Sequence, residues 1–429
     1  MCYYEFMSII ITLSLIPVVI WGFMAPLGDR FADLNSITTS LGQILGLVGM
    51  TLFAINLILA GRFKWLDEHF RGLDKVYANH SKIGAISFSM LLFHPLMLVV
   101  KYLVLSTNQA ALFFVPFTNM PITWGIVSLF LMIVLVSFTF YFKFKYHIWK
   151  MSHKFLTIAF FFGVIHTFMI TSDISRNILL RYYILGLSLF ALLIIIRKVI
   201  LDNLFLNRYK YKVKNVLVLN KDIIEIEMEA LSKKMFYNPG QFAFFNFLSM
   251  GVSSESHPFS ISSSINGETL KITVKNLGDF TSRLSKLMIG DKVLIDGSYG
   301  NFSYDNVTSK NQIWVAGGIG ITPFYSMAQS LKSGYNIDFY YSVKEISEAV
   351  YVKEFQDIAL KNPNFKFNLW CANEKGYINA GVITNLSGGI KGKDIFFCGP
   401  PMLMKSLKEQ FIPLGADINN IHYEDFSFT

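Results

Sequence analysis

"HSKIGAISFSMLLFH" runs from His80 to His94, an apolar stretch closed at each end by a histidine. The chain has 429 residues and 8 histidines. An imidazole is costly to place in hydrocarbon, and ionisable residues kept there mark functional positions. A second stretch repeats the arrangement: "HKFLTIAFFFGVIH" runs from His153 to His166. Read as two membrane helices, these stretches decide the fold of the first half of the chain.

Composition supports that reading. Hydrophobic residues make up 53% of the chain and charged residues 16%, against about 25% charge in an ordinary soluble domain. The deficit lies in residues 1–200, whereas 210–429 have globular composition. Six apolar runs, near 7–26, 37–60, 82–105, 121–142, 153–171 and 179–200, are long enough to cross roughly 30 Å of hydrocarbon. The first is long and has no basic stretch before it, so it reads as a span, not as a cleaved leader.

Lys and Arg set the orientation. Loop 61–82 (Arg62, Lys64, Arg71, Lys75, Lys82), loop 143–154 and segment 197–214 together hold fifteen, while the alternate loops hold four (Arg30, Lys101, Arg176, Arg181). The basic side is cytoplasmic, which places both termini and the soluble half on the inner side of the membrane. The net charge of +9 is then a topology signal, and no nucleic-acid partner is expected. Three cysteines (Cys2, Cys371, Cys398) make no disulfide framework and no metal-ligand spacing.

The third and fifth spans both run outward. His80 and His153 then share the inner level, and His94 and His166 the outer. At about 1.5 Å per residue the two levels lie roughly 20 Å apart. One membrane histidine by itself reads first as an interfacial residue or a hydrogen-bond partner between helices. Four in matched pairs read as two stacked bis-histidine haem sites. Fourteen steps of about 100° return near the starting face, but thirteen miss it by ~140°. The fifth helix therefore needs a bend. His69 and His147 compete as ligands, but their loop positions give unequal spacings.

After Lys214 short alternating strands appear: "NVLVLN", "IIEIEME", "QFAFFNF", "LKITVKN" and "DKVLIDG". They predict a small antiparallel barrel. "QIWVAGGIGITPFYSMA" (312–328) then reads as a buried strand, a glycine-rich turn and a helix. The strands "IDFYYSV", "FKFNLW" and "DIFFCG" alternate with helices, as in a parallel doubly wound sheet. The expected division is 1–205 for the membrane helices, 206–308 for the barrel and 309–429 for the α/β domain. Gly317, Gly318 and Gly320 sit where bare backbone lets a pyrophosphate approach a helix N-terminus.

Six motifs in order, "HPFSIS" (257–262), "VKNLGDFT" (274–281), "LIDGSYG" (294–300), "AGGIGITP" (316–323), "FFCGPP" (396–401) and "HYEDF" (422–426), resemble the signature of the ferredoxin–NADP reductase family. With the paired membrane histidines, the chain resembles the NADPH oxidase and ferric reductase superfamily, in particular bacterial NADPH oxidases of the NOX type. The resemblance implies a six-span helical bundle with two bis-histidine b-type haems (ligands His80, His94, His153, His166), a cytosolic FAD-binding barrel and an NADPH-binding α/β domain. It implies that His257, Pro258, Phe259 and Ser260 line the flavin and its arm, and that Lys275, Gly278, Phe280 and Thr281 hold FAD phosphates. The "GGIGITP" loop, including Thr322 and Pro323, would cradle the nicotinamide nucleotide, with Cys398, Gly399 and Pro400 at the nicotinamide. Ser342 and Lys344 would read the 2′-phosphate of NADPH. Phe426, more than Phe428, would cover the flavin. Two positions depart from the pattern. Ser298 stands where proline is common, and Leu98 stands where eukaryotic oxidases carry a further outer histidine.

The implied activity carries electrons from NADPH through FAD and the two haems to an acceptor outside. Phe160, near mid-depth on the fifth span, is either a bridge between the levels or a packing residue. The acceptor stays open: dioxygen, giving superoxide; a ferric or other metal chelate; or a quinone or extracytoplasmic protein. A transporter with proton-relaying histidines is the alternative from another class, and the flavin and nucleotide motifs speak against it. The chain length leads to an expectation of activity without an obligatory regulatory subunit.

Overall fold

The structure, a computed structural model, describes residues 2–70, 72–142, 146–198 and 208–424. The chain divides into two compact units, Met1–Phe70 with Lys75–Leu206 and Arg71–Asp74 with Asn207–Thr429.

The first unit is helical. Its main helices are α1 (Cys2–Gly22), α2 (Leu34–Leu59), α3 (Leu73–Leu105), α4 (Met120–Tyr141), α5 (Tyr146–Lys154), α6 (Leu156–Met169) and α7 (Ile178–Ile196). Among the described residues five stretches are long and apolar enough to cross a membrane, against the six spans expected: Leu34–Leu59, Leu73–Val104, Met120–Tyr141, Ile148–Met169 and Ile178–Ile196. The apolar part of α1, Met7–Gly22, is shorter than these five. Asp33, Asn119 and Asn177 cap α2, α4 and α7, each accepting the backbone N–H of the residue three places on, so each chain entry is satisfied before the apolar run begins.

Gly42 and Asn56 of α2 contact His94 and His80 of α3 respectively. Rising number on α2 thus meets falling number on α3, and the two helices are antiparallel. α4 packs along α6, and α7 along α2. A core of Trp21, Leu47, Met50, Phe53, Ala54, Phe160 and Ile184 fills the bundle.

The fifth expected span is two helices. α5 ends at Lys154 and α6 begins at Leu156, with Phe155 between them at φ −67°, ψ −13°. Phe155 N–H bonds Ser152 O at 3.0 Å and Ile158 N–H bonds Phe155 O at 2.8 Å, the tighter i→i+3 pattern that overwinds a helix. This interruption falls between His153 and His166, the bracket whose thirteen-residue spacing does not fit one regular helix.

The second unit begins with six antiparallel strands: β1 (Tyr209–Asn220), β2 (Ile223–Ala230), β3 (Phe242–Leu248), β4 (Ser256–Ser260), β5 (Leu270–Lys275) and β6 (Lys292–Tyr299). Their order is β4-β3-β6-β1-β2-β5. A bridge from Ile261, just past β4, to Ile272 of β5 joins the two edges and closes the barrel. Inward residues such as Val213, Ile226, Phe245, Ile272 and Ile295 are fully buried.

Five parallel strands follow: β7 (Asn311–Gly317), β8 (Asn336–Val343), β9 (Phe365–Cys371), β10 (Asp394–Cys398) and β11 (Ile421–Tyr423). Helices α8 (Ile321–Gln329), α9 (Val352–Lys361), α10 (Ala380–Leu386) and α11 (Pro401–Phe411) connect and cover them. The sheet order is β11-β10-β7-β8-β9. Trp314 and Phe339 face one core, Ile313 and Tyr340 the other, as a sheet covered on both faces demands. The chain leaves β7 toward β8 and returns on the far side at β10. The crevice between the C-terminal ends of β7 and β10 is the topological switch point, where open α/β sheets bind ligands.

Candidate functional site

In the helical unit the four bracketing histidines meet in pairs. The rings of His80 and His153 have centroids 6.0 Å apart, and those of His94 and His166 are 6.4 Å apart. Two imidazoles in line on opposite sides of one metal, through bonds of about 2 Å, would have ring centres about 6.3 Å apart. Three of the rings are anchored through Nδ1: His80 to Asn56 O at 3.0 Å, His94 to Gly42 O at 2.7 Å and His166 to Pro121 O at 2.7 Å. A carbonyl only accepts, so each Nδ1 carries the proton and each Nε2 keeps its lone pair. That is the tautomer a metal-ligating histidine needs.

The neighbouring helices are cut away to admit these rings. A Cβ at Gly46 would lie 2.7 Å from His94 Nδ1, and one at Gly125 would lie 3.0 Å from His166 Nδ1. The donor set and its cradle fit two bis-histidine haems. Among the described residues no group of three or more His, Cys, Asp or Glu is placed to hold a metal ion, so the metal-ligand candidates are these two-residue clamps.

The remaining candidates of the helical unit are placed as follows. Phe160 is fully buried and meets Phe53 edge to face at 4.9 Å. Leu98 packs on Gly42. His69 sits in the short helix Lys64–Phe70 with Nδ1 at 3.0 Å from Trp65 O. The side chain of His147 is outside the described residues.

In the barrel, His257, Pro258, Phe259 and Ser260 lie on the edge strand β4. The His257 ring stacks on Phe280 at 3.6 Å, which brings the "HPFS" and "GDFT" motifs together. Lys275 ends β5. Thr281 Oγ1 accepts the N–H groups of Leu277 and Gly278 at 2.9 and 3.0 Å. The amide of Gly278, one of the residues expected to hold a phosphate, is thus bonded to the loop's own threonine.

At the switch point the glycines do two different jobs. A Cβ on Gly320 would stand 2.3 Å from Cys398 O, and one on Gly317 would stand 2.5 Å from Leu403 Cδ2 and 2.9 Å from Pro400 Cδ. These two glycines, with Gly399 against Gly317, let the loops after β7 and β10 pack onto each other. Gly318 alone among the three of the loop has open space around it, at φ +53°, and is the position a ligand can approach. Thr322 Oγ1 donates to Ile319 O at 3.1 Å, and Pro323 is buried in the first turn of α8. Cys398 is buried at the end of β10. Ser342, next to last in β8, is half-buried, and Lys344 just beyond the strand is exposed. Phe426 and Phe428 lie outside the described residues.

Residues 45–164 match the family described as ferric reductase like transmembrane component. Residues 208–317 match an FAD-binding domain, and 314–409 an oxidoreductase NAD-binding domain. The chain has the domain architecture of the NADPH oxidase and ferric reductase superfamily. Within that superfamily architecture it is a ferric-reductase-like membrane oxidoreductase with an FAD- and nicotinamide-nucleotide-binding half.

Curated relatives match part of this chain. One Na(+)-translocating NADH-quinone reductase component, that of Methylococcus capsulatus, is 30% identical, covering 35% of this chain and 40% of that protein. The glycine betaine monooxygenase reductase of Chromohalobacter salexigens is 26% identical over 45% of this chain and 57% of its own length. This chain therefore spans less than two thirds of either relative. Among solved structures, a ferredoxin NADP+ reductase from Neisseria gonorrhoeae with bound FAD and NADP has a TM-score of 0.44 at 16% identity, covering 51% of this chain and 98% of that one.

Two residues near the reductase site escaped the sequence reading. Glu424 is buried beside Gly300, where a Cβ would fall 2.5 Å from Glu424 Oε1. The quoted motif "HYEDF" contains it, so its acid was visible but its burial was not. Tyr351 caps α9 in the left-handed region at φ +62°, a conformation a bulky residue adopts only under tertiary constraint. Its ring stacks on Tyr325 at 3.9 Å, and its hydroxyl donates to Glu225 Oε2 at 2.7 Å and meets Thr273 Oγ1. Lys271 pairs with Glu225 at 2.9 Å. Burial, and then the Glu225 carboxylate, push the Tyr351 hydroxyl far above its ordinary pKa, so it stays a donor. This network ties the barrel to the α/β domain, and no local sequence signal points to it.

Proposed function

We propose that this chain is a six-span plasma-membrane NADPH oxidase that carries electrons from cytoplasmic NADPH to dioxygen outside, releasing superoxide. What supports the reading most is that the two histidine pairs, one at each level of α3 and the α5–α6 pair, occur in one chain with the FAD- and NAD-binding domains. When bound, the flavin accepts a hydride and the haems carry single electrons, which converts a two-electron donor into one-electron delivery.

The chain's own residues divide the work. His80 with His153, and His94 with His166, clamp one haem each through Nε2. His257, Pro258, Phe259 and Ser260 line the flavin, while Lys275, Gly278, Phe280 and Thr281 face its phosphates. Gly317 and Gly320 set the β7 and β10 loops close together, and Gly318 offers bare backbone to the nucleotide. Thr322 and Pro323 start the helix whose N-terminal end favours phosphate charge. Cys398, Gly399 and Pro400 border the nicotinamide, Ser342 and Lys344 recognise the 2′-phosphate, and Phe426 covers the flavin when the nicotinamide is absent. The excess of Lys and Arg in alternate loops orients the basic side and the reductase half toward the cytoplasm.

The test is oxygen consumption by purified protein supplied with NADPH and FAD, together with cytochrome c reduction. A cytochrome c signal abolished by superoxide dismutase is the expected result. The ferric-reductase description of 45–164 favours a second reading, reduction of a ferric or other metal chelate. A dismutase-insensitive signal, with faster turnover on a ferric chelate than on oxygen, selects it. Full activity of the purified chain without any added protein is expected, and an absolute need for one overturns that part of the reading.

A further inference from the structure

The four ligand candidates are not anchored alike. Both members of the outer pair donate Nδ1–H to a backbone carbonyl, His94 to Gly42 O and His166 to Pro121 O, each at 2.7 Å. In the inner pair only His80 does so, at 3.0 Å to Asn56 O. His153 Nδ1 is buried and has no hydrogen-bond partner among the described residues. The indole of Trp149, one turn earlier on α5, stacks on the His153 ring instead, with centroids 5.4 Å apart and planes 27° apart.

The difference follows from where the histidines stand. His166 lies in the last turn of α6, and its Nδ1 reaches the carbonyl of Pro121 in the first turn of α4. His153 lies in the last turn of α5, next to the interruption at Phe155. There its ring faces His80 at 6.0 Å, and its buried Nδ1 has no hydrogen-bond partner among the described residues. A ring with one free torsion then needs another restraint, and the flat face of an indole four residues earlier supplies it.

The two kinds of anchor differ electronically. A carbonyl that accepts Nδ1–H raises the basicity of Nε2 and strengthens its donation to an oxidised metal. Second-shell hydrogen bonding of this kind is one of the levers on haem potential. A stacked indole orients the ring without taking its proton.

We infer that the two histidine pairs are unequal by construction. The outer couple, with two carbonyl-anchored imidazoles, is the more negative, and Trp149 is the positioning residue that holds His153 in place of the missing carbonyl. This rests on the reading of the pairs as haem ligands.

The test is a spectroelectrochemical titration of the full-length, haem-loaded protein, with electron paramagnetic resonance of the oxidised state. Wild type is expected to show two resolved couples. Trp149→Leu is expected to shift or lose only the more positive couple and to alter only its low-spin signal, and Trp149→Phe to restore both. Gly46→Ala, which places a methyl 2.7 Å from His94 Nδ1, is expected to move only the more negative couple, and it assigns that couple even where Trp149→Leu fails to accumulate. Wild-type protein without two haems overturns the haem reading and this inference with it. Two haems with coincident potentials, or a Trp149→Leu protein in which both couples move equally or neither moves, overturn the inference alone.

Discussion

The helical half and the α/β half build their candidate sites from opposite materials. In the helices the site is made of side chains: four imidazoles projected from helices toward one another, with ring centres 6.0 and 6.4 Å apart. In the α/β half the site is made of side chains left out. Gly317, Gly320 and Gly399 bring two loops into backbone contact, and Gly318 leaves a surface open. A helix has a fixed repeat, so the spacing of its side chains can be read along the chain. A missing Cβ has no direction of its own, and its purpose depends on what packs against it.

The comparison breaks first where a side chain is removed. His94→Leu is expected to lose one of two haems, halving bound haem in the absorption spectrum. It should lower NADPH-driven electron delivery by at least about 100-fold while leaving NADPH-dependent flavin reduction intact. Loss of flavin reduction as well would mean that the two halves are not separable sites.

Adding a side chain tests the other half. Gly320→Ala sets a methyl against Cys398 O, a backbone atom that cannot rotate away. Overpacking of this kind costs about 1–3 kcal/mol or more, so a lowered melting temperature of the reductase half is expected, with haem content unchanged. An unaltered melting temperature would show that the two loops are not held together as described.

Lys344→Glu addresses recognition. Loss of a charge-assisted contact costs about 1.5–3 kcal/mol, so the KM for NADPH is expected to rise roughly tenfold or more, while that for NADH barely changes. Equal rises for both nucleotides would remove Lys344 from the 2′-phosphate site.

The smallest effect is expected at Gly318→Ala. Nothing stands within 4 Å of its Cβ, and the cost is the left-handed backbone alone, about 1 kcal/mol. Its stability loss should be clearly less than that of Gly320→Ala, yet its KM for the nucleotide should rise. The reverse order would exchange the roles assigned to the two glycines.

The six apolar runs, the two histidine brackets and the strand–glycine–helix of 312–328 were legible because each is a periodic or contiguous pattern governed by local geometry. The five strands quoted from the barrel and the three that follow β7 were readable for the same reason. The sixth barrel strand, β4, lay inside the "HPFSIS" motif and carries little alternation, since its burial is only partial along most of its length. Tyr351 was invisible because its partners Glu225, Thr273 and Tyr325 come from distant segments. The anchoring of His80, His94 and His166 was equally invisible, because a carbonyl carries no residue identity.

Hydropathy, charge asymmetry and histidine spacing suggested a two-level histidine ladder in the first half, and the ordered motifs, through their family resemblance, implied a flavin–nucleotide reductase after it. Each of these is a property of consecutive residues, and the repeat of helix or strand converts it directly into a face or a depth. Three things came from the fold alone: that the thirteen-residue bracket closes through an interruption at Phe155, that Gly318 is the open glycine, and that His153 rests on Trp149 instead of a carbonyl. They depend on which backbone and which ring from elsewhere in the chain arrives beside a given atom, and one-dimensional spacing holds no record of that.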